Sequence, residues 1–201
     1  MSEQLKCIVN YNLEDQFILK DYESRKLYIN NDIDEIINDE ITYHILRYNA
    51  EDKGILPENR KPILLYVSSN GGSVSDGFSL IDVIRESTTP VYTINLGYQY
   101  SMGFLIGLSG HKRYATKHAT FLMHDGSNFI YNSMSKAKDQ MRFQEEMEEK
   151  IKSYILSRSK ISSETYDKNL RVEWYMYAHE AKENGFTDFI IGEDCVLNDI
   201  I

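Results

Sequence analysis

The chain has 201 residues, a formal net charge of −9 and 42% hydrophobic residues, enough for one domain with a real core but not comfortably for two. An acidic balance without any Lys/Arg-rich block argues against nucleic acid or an anionic membrane as partner. No apolar run approaches the ~20 residues of a spanning helix, and Met1-Ser-Glu-Gln-Leu-Lys6 lacks the plan of a secretory leader. Cys7 and Cys195 have no metal-ligand spacing and make no disulfide framework, so a reducing cytoplasm is expected, with no metal and no cofactor.

Residues 1–24 are polar and irregular, with a weak β-like run at Cys7-Ile-Val9, and read as a flexible arm. Lys26-Leu-Tyr-Ile29 reads as the first core strand. Asn30 or Asn31 then caps a helix carrying Ile33, Ile36, Ile37, Ile41, Ile45 and Leu46 inward. Pro62-Ile-Leu-Leu-Tyr-Val67 is an uninterrupted apolar run bounded by turn signals, as in a buried parallel strand. Asn70-Gly71-Gly72 turns it into a helix, Ser75 to Glu86, and Pro90 precedes the next strand, Val91 to Leu96. Two successive strand–turn–helix units predict an α/β fold. Ligands in such sheets gather where strands end, and both Gly-bearing turns lie there.

The second turn carries the chemistry. Ser101 sits in Gly97-Tyr-Gln-Tyr-Ser-Met-Gly103, between a strand and the apolar, helix-like Phe104 to Leu108. The unpaired N–H groups of a helix start suit a negative oxygen. Thr120-Phe-Leu-Met123 reads as a strand that ends in His124, a candidate general base. By itself Ser-Met-Gly is also how an ordinary helix N-cap reads, and a histidine after a strand is commonly structural. The earlier Ser69-Asn-Gly-Gly-Ser73 turn tips the balance by offering a further oxyanion donor. Beyond His124 a long charged helix is expected from about Ser135 to Ser159, with Glu146–Lys150 and Glu148–Lys152 as i,i+4 pairs. Ser162-Ser-Glu-Thr165 looks like another helix start. Val172 to Ile191 reads as a turn, a short helix and a last strand, followed by a loosely held acidic tail.

Together these pieces resemble the proteolytic subunits of the Clp protease. The matching residues are Tyr66-Val-Ser-Ser-Asn-Gly-Gly72, Gly97 to Gly103, Lys112-Arg-Tyr114, Met123-His124, Glu180-Ala181 and Gly185-Phe-Thr-Asp188. They run in the family's order from about Arg25 to about Ile191. The resemblance implies a single peptidase domain over 1–201 of the ClpP/crotonase-like α/β fold, with a protruding handle helix at about 130–160. It implies Ser101 as nucleophile, His124 as base, and the N–H groups of Gly72 and Met102 as oxyanion hole. It also implies peptide and unfolded-protein substrates, stacked heptameric rings of one or several subunit types, and an AAA+ ATPase unfoldase that docks near Tyr66.

The chain departs from the family at the third triad position, where Asn169 stands for aspartate. Asp125 follows His124 directly and faces the other way along a strand. Asp167 lies nearly opposite Asn169 on a helix, and Glu173 matches an acid of the subunit contacts. Asn169 is the simplest choice, because its oxygen can accept from an imidazole N–H. Asn70 replaces a proline, and the segment from Ser101 to Lys112 is about two residues short. The competing expectations are a catalytically weak structural subunit and a crotonase-like CoA enzyme.

Overall fold

The computed structural model describes residues 13–126 and 133–200. Five parallel strands form the central sheet: β1 (Lys26–Ile29), β2 (Ile63–Val67), β3 (Val91–Asn95), β5 (Lys112–Thr116) and β8 (Phe189–Ile191), adjacent in that order. Every residue of β2 is buried, which is why its sequence shows no polar alternation. A second, three-stranded sheet places β6 (Thr120–Met123) between β4 (Tyr98–Tyr100), parallel to it, and β7 (Trp174–Tyr177), antiparallel.

The helices are α1 (Leu13–Glu23), α2 (Tyr43–Glu51), α3 (Val74–Glu86), α4 (Met102–Ser109), α5 (Met134–Arg158), α6 (Ser163–Leu170) and α7 (Ala178–Glu183). All eight residues of α4 are buried, as its apolar sequence requires. Its buried C-terminal carbonyls need partners. Arg158 supplies them from the end of α5, donating to Leu108 (3.2 Å) and Gly110 (2.8 Å). Arg113 joins two of the motif pieces, bonding Asp188 through two nitrogens and the Gly185 carbonyl at 2.8 Å. The α/β expectation is met, and so is the long helix: along α5 only Ile155 is fully buried.

Four details differ from the sequence reading. The expected arm is helical over its described part, α1, whose Tyr22 stacks on His44 (4.0 Å) and accepts the Tyr48 hydroxyl (2.8 Å); the β-like run at Cys7 lies outside the described residues. Ile33 forms an extended bridge with Gly72 rather than opening a helix. The chain then coils through a π-helical turn, Asn38–Thr42, into α2, with Ile33, Ile37, Ile41 and Ile45 buried but Ile36 and Leu46 exposed. Neither expected ion pair on α5 forms; Lys152, expected on Glu148, reaches Asp167 of α6 instead (2.6 Å). The tail is packed: Ile200 is buried against Leu64, Tyr66, Ile94 and Tyr114 on the sheet.

Candidate active site

Ser101 is the residue between β4 and α4, and its backbone is unusual. Its φ of 51° and ψ of −120° lie where a side chain is strained, a state that persists only when the surroundings over-determine it. The bonds that impose it can be named. Ser101 N–H donates to Leu122 of β6 (3.1 Å), Tyr100 N–H to Ser69 (2.9 Å), and the Ser101 carbonyl accepts from Phe104 and Leu105. Asn95 ties the same segment from below, donating to the Thr120 carbonyl and accepting from Gly97 N–H, both at 3.0 Å. The strand that carries His124 and the turn that carries Ser101 are therefore held by one set of bonds.

The Gly71–Gly72 turn closes the other side. A Cβ on Gly71 (φ +110°) would stand 2.7 Å from Ser101 Cβ and 3.0 Å from both Met102 N and Ser101 Oγ. A Cβ on Gly72 (φ +143°) would stand 2.3 Å from the Ile33 carbonyl oxygen. Ile33 donates to the Gly71 carbonyl and accepts from Ser73 N–H, both at 2.7 Å. In such a parallel bridge the N–H of Gly72 itself points away from Ile33. Met102, as the first residue of α4, has an N–H with no intrahelical acceptor. Gly72 and Ser101 line one cleft, and Gly71 is the close neighbour that sequence reasoning had not singled out. Its signal was the doubling of the glycine.

Two cavities meet at Ser101 and His124. A recess of about 60 Å³ runs inward between Val74, Phe104, Leu105, Met123, Ile151 and Ile155. A larger cleft of about 490 Å³ runs outward between Gly72–Ser75 and α5. His124 Nε2 is buried and has no hydrogen-bond partner among the described residues. An imidazole nitrogen so placed is costly unless something comes to meet it. Ser101 Oγ and His124 share the cavity but are not hydrogen-bonded to each other, as is common in free enzymes before substrate tightens the site.

Asn169 lies on the last turn of α6, outside the lining of both cavities. Asp125 N–H donates to the Leu170 carbonyl (2.9 Å), which fastens the residue after His124 to the residue after Asn169. The Asn169 amide nitrogen donates to the Thr165 carbonyl at 2.8 Å. A carbonyl only accepts, so the NH₂ is turned back onto its own helix and Oδ1 is the outward end. Asp167 is engaged by Lys152, and Glu173 is exposed.

A serine on a strained strand-to-helix turn, with a histidine in the same cavity and helix-start donors beside it, defines a serine-type hydrolase. The comparisons specify which. The Clp protease family model matches residues 13–194. The chain is 31% identical over 185 residues to the ATP-dependent Clp protease proteolytic subunit 1 of Frankia casuarinae, covering 89% of this chain and 82% of that one. It is 27% identical over 196 residues to proteolytic subunit 2 of Corynebacterium diphtheriae (95% and 96% covered). Against subunit 2 of Treponema pallidum the figures are 27% over 180 residues (89% and 87%). The chain belongs to the Clp protease family and is a serine-type endopeptidase.

Proposed function

We propose that this chain is the proteolytic subunit of an ATP-dependent Clp protease, with Ser101 as nucleophile, His124 as base, and Gly72 and Met102 N–H as oxyanion donors. Ser101 Oγ attacks the scissile carbonyl while its proton passes to His124 Nε2. The oxyanion formed is held by the two N–H groups. Collapse of the adduct expels the amine, which takes the proton from His124, and leaves an acyl-enzyme that water hydrolyses by the same route in reverse. The apolar recess receives the side chain next to the scissile bond. The observation that carries this reading is the strained backbone of Ser101, beside a buried His124 Nε2 that lacks a partner among the described residues. Asn169 is the third member, its outward Oδ1 accepting from imidazole Nδ1–H when the site tightens.

Oligomerisation and a Clp ATPase partner go with the family. The finer form proposed is two stacked heptamers, of one subunit type or several, in the cytoplasm, fed by an AAA+ unfoldase docking near Tyr66. Exposed Phe17, Ile18 and Leu19 on α1, and Tyr43 and Leu46 on α2, support it, since exposed apolar side chains in such number favour association. The long, largely exposed α5 supports ring stacking. Among the described residues no helix is long and apolar enough to cross a membrane. The test is peptide hydrolysis by assembled protein: wild type is expected to cleave short peptides without ATP, and Ser101→Ala to assemble normally and cleave none. An assembled Ser101→Ala variant with full activity would overturn the assignment.

A further inference from the structure

The cleft outside the catalytic pair is walled by one stripe of α5. Gln144, Met147, Glu148 and Ile151 all line it, and their spacing of i, i+3, i+4 and i+7 is a single helical face. Ile155, one turn further on, continues the stripe into the apolar recess. Glu148 therefore stands at the wall of the cleft that Ser101 and His124 also line. Among the described residues lining this cleft it is the only carboxylate, and none is a lysine or arginine.

Its charge is left uncompensated by the fold. The cation one turn on, Lys152, would ordinarily pair with it. Lys152 Nζ instead bonds Asp167 Oδ1 at 2.6 Å and lies 5.6 Å from the centre of the Tyr166 ring. Glu148 enters no ion pair among the described residues. Lys150 lies two positions on and lines a different surface hollow, with Phe78 and Asp82. Glu148 is thus the charged side chain on the α5 wall of the cleft, beside a recess that is mainly apolar.

We infer that Glu148 is a specificity-determining residue: a subsite flanking the scissile bond takes a lysine or arginine side chain of the substrate. Resting on Ser101 as the nucleophile of this same cleft, the proposal gives the peptidase a substrate class, an apolar residue with a basic one close by in sequence. An aliphatic Lys or Arg stem also packs on Met147 and Ile151 while its charge reaches the carboxylate. Because Glu148 is exposed, the preference is modest and sensitive to salt.

The test uses assembled full-length protein and a set of fluorogenic peptides, identical except for Lys, Gln or Glu at each position around an apolar residue. For wild type, kcat/KM at one position should favour Lys over Gln by about three- to fivefold at low salt, and less at high salt. Glu148→Gln should flatten this preference and Glu148→Lys should reverse it, each read as the Lys/Gln ratio of kcat/KM within one protein, so that a change in turnover common to all peptides cancels. Wild type that cleaves the neutral peptide but shows no charge preference at any position overturns the proposal. So does a Lys preference unchanged in Glu148→Lys. Failure of wild type to cleave even the neutral peptide sinks the Ser101 reading itself, and this one with it.

Discussion

Replacing Gly71 by alanine tests whether the catalytic serine is set by backbone packing. The new Cβ would lie 2.7 Å from Ser101 Cβ and 3.0 Å from Ser101 Oγ and Met102 N. Carbon–carbon contacts settle at about 3.5–4.0 Å, so turn and serine must separate by roughly 1 Å. A displacement of that size at a reacting group lowers turnover on the order of 10²-fold. The φ of +110° adds about 1–3 kcal/mol of backbone strain to the folded state, or a Tm lower by roughly 2–10 °C in a chain of this size. Gly54→Ala is the matched control. Gly54 also has a positive φ (+94°), but its Cβ would meet nothing within 4 Å, so it should lose stability and keep activity. The assay is kcat/KM on a neutral fluorogenic peptide alongside Tm by calorimetry. Gly71→Ala activity within about threefold of wild type would refute the packing argument.

Two further outcomes follow from the triad and from the Arg25–Asp52 ion pair. Asn169→Asp should raise kcat/KM by about tenfold, because a charge-assisted hydrogen bond to His124 exceeds a neutral one by about 1–1.5 kcal/mol; unchanged activity in Asn169→Ala would show that another residue orients His124. Asp52 receives Arg25 at 2.6 and 2.7 Å and the Thr89 hydroxyl at 2.8 Å, so Asp52→Asn should cost about 1–3 kcal/mol by leaving a half-buried guanidinium without its counter-charge. Arg25 hydrogen bonding outweighs burial and holds the Asp52 carboxyl below its ordinary value. Its stabilisation is therefore present above the unfolded pKa of about 3.9 and lost as pH falls through the lower folded one. A Tm difference between wild type and Asp52→Asn that stays constant below about pH 3 would contradict this.

What could be read from the sequence had a short-range cause. The apolar run of β2 and the Gly-bearing turns after β2 and β3 announced parallel strands and the site between them. Ser162 does cap α6, accepting Thr165 N–H at 3.0 Å, as its spacing implied. Helix α1 was hidden because Phe17, Ile18 and Leu19 are consecutive and exposed, leaving no helical period to detect. Strand β5 begins with Lys112 and Arg113, and only Tyr114 and Ala115 in it are buried. The expected Glu148–Lys152 pair fails because Asp167, fifteen positions beyond Lys152, is nearer in space than along the chain. Ser101 and His124 were found by their turn and strand, and the structure brings them to one cavity. The bond from Asn169 to Thr165 depends on side-chain orientation that no spacing encodes.

The most direct measurement is covalent labelling by a fluorophosphonate, with the modified residue mapped by peptide mass spectrometry. Only a serine made nucleophilic by an adjacent base reacts readily with such a probe. The predicted result is one adduct on the peptide containing Ser101, slowed strongly by His124→Ala and absent in Ser101→Ala. An adduct on another residue, or labelling that persists unchanged in Ser101→Ala, would contradict the assignment of Ser101 as the nucleophile.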